Sequence, residues 1–130
     1  MERSDLRVVI VDDNRHAAAA LSRLIDTAGF SVSGEIYDAT KAFDCIANEK
    51  PHVALLDISM PVIDGCTLAE RVRKLMVPAP LLIAISGFGT PSDKQQAIDA
   101  GFNFHLTKPV EWATLEEILM GHIKQLETAA

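Results

Sequence analysis

The sequence has no apolar run long enough to cross a membrane. A span needs about 18 consecutive apolar residues, and the longest candidate, 79–85, is short and carries Pro80. It has no basic excess either. Twelve Lys and Arg stand against 18 Asp and Glu, a formal net charge of −6. Such a chain is repelled over long range by DNA, RNA and anionic lipid, so direct binding of nucleic acid or a membrane is not expected. Cysteine is scarce: Cys45 and Cys66 are the only two, and they form no C-x-x-C pair. A disulfide framework is excluded, and a reduced, cytoplasmic chain is expected. The first six residues are charged, with no secretory apolar region behind them. Phosphate-loop chemistry is missing too, since no G-x-x-x-x-G-K-[ST] occurs. Gly87-Phe88-Gly89 imitates half of a dinucleotide fingerprint, but the third glycine is missing and the motif follows the fourth predicted strand rather than the first.

What is present is an ordinary globular composition, 48% hydrophobic and 23% charged over 130 residues. Intrinsic disorder and collagen-like repeats are excluded, and the length predicts one domain with its core over about 6–126. Strand-like and helix-like segments alternate without repeats or linkers. Strands are predicted at 6–11, 30–37, 53–56, 81–85 and 102–107. Leu21, Leu24, Ile25 and Ala28 mark the face of a first helix that stops at Gly29. Ala39, Ala42, Phe43, Ile46 and Ala47 mark a second, with Asp38 as its cap. Leu68, Val72, Leu75 and Met76 mark a third. Thr90-Pro91-Ser92-Asp93 opens a fourth, with proline at the first helical position. Leu115, Ile118, Leu119, His122 and Leu126 mark the last.

Five strand–helix units argue for an α/β fold, a parallel sheet with helices on both faces. The first, third and fourth strands are continuously apolar, as buried central strands are. The second alternates Phe30, Val32 and Ile36 with Ser31, Ser33 and Glu35. The fifth alternates Phe102, Phe104 and Leu106 with Asn103, His105 and Thr107. Alternation suits edge strands. The order 2-1-3-4-5, the flavodoxin-like doubly wound arrangement, keeps the most sequence neighbours adjacent.

In such a sheet ligands bind beyond the carboxyl ends of the strands, where the order reverses. There the first strand ends in Asp12-Asp13, the third in Asp57, the fourth in Ser86-Gly87 and the fifth in Lys108-Pro109. Two like charges about 4 Å apart repel by roughly 4 kcal/mol at an effective dielectric of 20, so three clustered acids call for a cation. All-oxygen donors suit Mg²⁺ or Mn²⁺. Ser86 and Lys108 suit phosphoryl oxygens, and a carboxylate can itself be the nucleophile.

These segments resemble the receiver domain of two-component response regulators: Val-Asp-Asp at 11–13, Leu-Leu-Asp-Ile-Ser-Met-Pro at 55–61, Asp-Gly at 64–65, Ile-Ser-Gly at 85–87, Asp99-Ala-Gly, and Leu-Thr-Lys-Pro at 106–109. The resemblance implies that Asp57 accepts a phosphoryl group from a phosphohistidine on a histidine kinase or a histidine phosphotransfer protein. It implies Mg²⁺, with Mn²⁺ as a substitute, on Asp12, Asp13, Asp57 and the Ser59 backbone carbonyl. Ser86 and Lys108 would hold the phosphoryl oxygens, Gly65 would permit a tight turn, and the peptide before Pro109 would be cis. The chain would be a phosphorylation-dependent switch rather than an enzyme, changing the face made by the fourth helix, fifth strand and fifth helix for an output partner or a second copy. Position 105 departs from the family's usual Tyr or Phe, although receivers of hybrid kinases often carry His there. Ser59 and Phe88 occupy positions that tune dephosphorylation in the family, and Phe88 is expected to shield the phosphoryl group from water.

Other readings compete. A phosphohydrolase that resembles haloacid dehalogenases would show Asp-x-Asp, where this chain has Asp57-Ile58-Ser59. A flavodoxin-type flavin carrier would need a phosphate loop where Asp12-Asp13 stand. A degenerate receiver would bind without phosphorylation. The remaining candidates read as structure: His16 and His52 as exposed, His122 and the cysteines as packing, Trp112 as packing or a partner contact, and Asp64 as a turn residue beside Gly65.

Overall fold

The computed structural model describes residues 1–58, 65–87 and 89–129. After a 3-10 turn (Arg3–Asp5), strands and helices alternate: β1 (Arg7–Val11), α1 (Arg15–Thr27), β2 (Ser31–Ile36), α2 (Ala39–Glu49), β3 (Val53–Asp57), α3 (Gly65–Leu75), β4 (Leu81–Ser86), α4 (Pro91–Asp99), β5 (Phe104–Thr107) and α5 (Trp112–Thr128). The strands form one parallel sheet in the order β2-β1-β3-β4-β5, as expected from their apolar patterns. Among the described residues no helix is long and apolar enough to cross a membrane.

Local chemistry sets the helix ends. The Asn14 side chain accepts from the Ala17 amide and that of Asp38 from the Thr40 amide, each satisfying a donor left over in a first turn. Thr90 and Asp93 form the reciprocal capping box of α4, with Pro91 at its start. Gly29, at φ 98°, and Gly101, at φ 109°, follow the ends of α1 and α4 in a conformation that costs glycine little.

Each strand presents alternate residues to opposite layers. Val9, Val11, Ala54, Leu56, Leu82 and Ala84 pack with α2, α3 and α4. Val8, Ile10, Val53, Leu55, Ile83 and Ile85 pack with α1 and α5. β3 and β4 are buried along their whole length, as the middle of a sheet covered on both faces must be.

The edges depart from the simple patterns. Along β2 the register shifts between Val8 and Val9, whose partners are Val32 and Gly34. Ser33 is the extra residue of this bulge. Val32 therefore packs on the α1/α5 side and Ile36 on the other, so the expected single apolar face is split, as a one-residue slip requires. On β5, Phe104 was expected to point inward but is exposed, because the edge strand has no neighbour to cover it. Leu24 and Leu75 are likewise exposed. Ala18 and Ala69 take the buried positions on their helices instead. Trp112 packs edge-on against Phe30, with ring centroids 6.4 Å apart.

Candidate functional site

Four strand ends meet at one edge of the sheet. The Asp12 amide donates to Ile36 O at 2.9 Å, extending the β1–β2 ladder by one residue. Asp57 is the last residue of β3, and the next amide, of Ile58, donates to Ile85 O. The Lys108 amide donates to Ser86 O at 2.7 Å, which ties the end of β5 to that of β4. The Lys108–Pro109 peptide is cis, as the family resemblance implied.

Asp12 and Asp57 are both buried, 6% and 5% exposed, while Asp13 is exposed. Lys108 Nζ donates to Asp12 Oδ2 at 3.1 Å and to Asp57 Oδ2 at 3.2 Å. Asp12 Oδ1 accepts from the Asn14 amide. Burial pushes the Asp12 carboxyl above its ordinary pKa and Asp57 adds to this, against the pull of the Asn14 amide and of Lys108. Burial alone would depress the Lys108 ammonium, but the hydrogen bonds and charges of Asp12 and Asp57 outweigh it and hold the group above its ordinary value. One cation faces too many acids.

A carboxylate oxygen from each of Asp12, Asp13 and Asp57 lies within 4.8 Å of the others. This all-oxygen, acid-rich set fits a hard divalent cation such as Mg²⁺ or Mn²⁺. Asp12, Asp13, Asp57 and Lys108 thus come together as the strand ends suggested. Ser59, Asp64 and Phe88 lie outside the described residues.

The turn expected of Gly65 involves residues 59–64, outside the described ones, but its own position shows a close approach. A Cβ there would sit 2.6 Å from Ile58 Cα and 2.7 Å from Asp57 O. The first turn of α3 therefore rests directly on the backbone that carries Asp57, and only glycine leaves room. Nothing in the Asp-Gly pair itself announces this approach.

Ser86 is 2% exposed, and its Oγ lies 2.8 Å from His105 Nε2. This contact was not legible in the sequence, because it depends on the β4–β5 register. His52 was expected to be exposed but is partly buried, and its Nδ1 accepts from the Arg7 amide. His16 is exposed as expected, and Cys45 and Cys66, which share no disulfide, pack against the α2–α4 side.

The sequence pattern of the response regulator receiver domain matches residues 8–120. The chain belongs to that family. Among similar proteins, response regulator MprA of Mycobacterium avium (strain 104) is 32% identical over 114 residues, 88% of this receiver and 48% of MprA. The receiver thus spans about half the length of the curated relatives it matches. A CheY-like receiver domain protein from Methanospirillum hungatei JF-1 superposes with a TM-score of 0.84 at 26% identity, covering 96% of this receiver and 98% of that chain. The receiver domain of Saccharomyces cerevisiae Ssk1, solved with the histidine phosphotransfer protein Ypd1, shares the fold with a TM-score of 0.82 at 22% identity, over 92% and 88% of the two chains. This receiver is therefore a domain of two-component signalling, in a family of phosphorylation-dependent switches.

Proposed function

We propose that this receiver, a single domain with its core over about 6–126, accepts a phosphoryl group on Asp57 from a phosphohistidine of a histidine kinase or a histidine phosphotransfer protein. The observation that carries the reading is the buried Asp57 carboxylate held 3.2 Å from the Lys108 ammonium, beside Asp12. An Asp57 oxygen attacks phosphorus, the P–N bond breaks, and the electron pair leaves with the donor imidazole. Lys108 then follows the negative charge from the carboxylate to a phosphoryl oxygen, which keeps the site neutralised during transfer. Ser86 supplies a hydroxyl to another phosphoryl oxygen. Asp12, Asp13 and Asp57, with the Ser59 carbonyl, would hold Mg²⁺, which when bound neutralises phosphoryl charge during transfer.

The yeast pair Ypd1 and Ssk1 supports a phosphotransfer protein as one class of donor. The output face is read as α4, β5 and α5, where Ile98 and Phe104 leave large apolar side chains exposed. Phosphorylation biases that face by a local charge change, so the chain acts as a switch rather than a turnover catalyst.

The test is incubation with acetyl phosphate, with and without Mg²⁺, followed by intact mass, with Asp57→Asn alongside. A Mg²⁺-dependent gain of one phosphoryl group that the variant lacks supports the reading. No gain, even with beryllofluoride as a phosphoryl mimic, leaves a receiver that binds partners without phosphorylation.

A further inference from the structure

The reaction above asks Ser86 to reach a phosphoryl group on Asp57, yet its hydroxyl lies against His105, with Oγ 2.8 Å from Nε2. Strand register explains the contact. Ala84 pairs with His105 and Ser86 with Thr107, so Ser86 and His105 are diagonal neighbours on one face of the sheet. It is the face packed by α4, since Ala84, Ala97 and Phe102 share one apolar cluster. Val53, Leu55 and Ile85 of the neighbouring strands belong to the opposite layer. Asp57 follows Val53 and Leu55 at the strand period of two, so it projects on the side away from His105.

The second ring nitrogen, Nδ1, is buried and has no hydrogen-bond partner among the described residues. Burial, together with Lys94 on α4 and against Asp93 of the same helix, holds the ring below its ordinary pKa, so the neutral form prevails at pH 7. A neutral imidazole carries one proton. If the proton is on Nδ1, then Nε2 accepts the Ser86 O–H and the hydroxyl spends its only proton on the ring. If it is on Nε2, the ring donates to Oγ and the Ser86 proton can be offered to a phosphoryl oxygen. A phenyl ring at position 105 could do neither.

We propose that His105 is a positioning residue for Ser86, holding the hydroxyl on the α4 face, and that engagement of a phosphoryl group on Asp57 requires this hydrogen bond to be given up or reversed. The inference rests on the receiver reading and deepens it. Here the contact between positions 86 and 105 is polar, where a phenylalanine could act only by its shape.

Two measurements on the full chain test it. The first follows the ring nitrogens of ¹⁵N-labelled histidine by NMR. Ser86→Ala should shift the His105 Nε2 resonance and leave that of His52 in place. The second is beryllofluoride binding in the presence of Mg²⁺. His105→Phe should bind roughly two- to tenfold more tightly, the worth of one net hydrogen bond, and the gain should vanish in a Ser86→Ala background. His105→Gln provides a second variant if the phenylalanine chain does not fold, and it should retain part of the hold on Ser86. An Nε2 resonance indifferent to Ser86→Ala overturns the inference, as does a His105→Phe gain that persists without Ser86. A wild-type chain that takes up no beryllofluoride removes the phosphoacceptor reading and leaves a receiver that binds without phosphorylation. The ring-nitrogen result then still reports separately whether His105 holds Ser86.

Discussion

The Lys108 ammonium lies 3.2 Å from the Asp57 carboxylate although 51 residues separate them in the chain. The contact exists because β3 and β5 both end at the same edge of the sheet, with β4 between them. Asp57 is buried, and Lys108 is about one-third exposed. Replacing Lys108 with Met leaves Asp12 and Asp57 without their shared cation. Losing one member of a fully buried pair costs about 3–5 kcal/mol. Exposure of the lysine reduces that, so a loss of roughly 1–2 kcal/mol is expected from urea unfolding, together with slower phosphorylation by acetyl phosphate.

Asp12 behaves in the opposite sense. Its pKa is raised in the fold, mainly by burial, so its ionised form is disfavoured there and opposes folding above the ordinary carboxylate range. Asp12→Asn should therefore stabilise the metal-free protein at pH 7. Millimolar Mg²⁺ should raise the melting temperature of the wild type but not that of Asp12→Asn. An equal rise in both would remove Asp12 from the cation site.

Gly65→Ala tests the contact between α3 and the Asp57 backbone. The new methyl would meet backbone at 2.6 and 2.7 Å, so one element must shift. A cost of about 1–3 kcal/mol is expected, and phosphorylation at Asp57 should fall because its backbone moves. Unchanged stability would mean that α3 can back away freely.

His52 carries a pH dependence. Its Nδ1 must be unprotonated to accept from the Arg7 amide. Burial first, then Arg7 and His122, lower its pKa below 6.5. With the folded pKa depressed, the unfolded chain binds more protons as pH falls. The His52 contribution is thus present above pH 6.5 and is lost as pH falls through the folded value. Denaturant midpoints measured from pH 8 to 5 should decline, and His52→Asn should flatten the part of that decline below pH 6.5. An identical slope in the variant would assign the decline to other groups.

Much of the molecule was legible in the sequence because its causes are local or periodic. Asp38, Thr90 and Asp93 cap helices through residues two or three positions away. The apolar runs of β1, β3 and β4 mark central strands whatever lies beside them, and the strand order follows from which strands lack such runs. The ends of β1, β3 and β5 then bring Asp12, Asp13, Asp57 and Lys108 to one edge.

Other features depend on which residue faces which across the sheet. The bulge at Ser33 moves Ile36 to the opposite layer from Val32, and no pattern within β2 records it. Leu24, Leu75 and Phe104 fit their helix or strand periods, yet each lies where no neighbouring element covers it. His52 meets Arg7 through the alignment of β1 with β3, and Gly65 meets Asp57 through the seating of α3. The pairing of Ser86 with His105 depends in the same way on the register of β4 with β5. Amino-acid order by itself determined the elements, their order in the sheet and the acids at its edge. Only the tertiary structure decided the contacts made through register and close approach, because those distances arise between segments that are independent until the sheet forms.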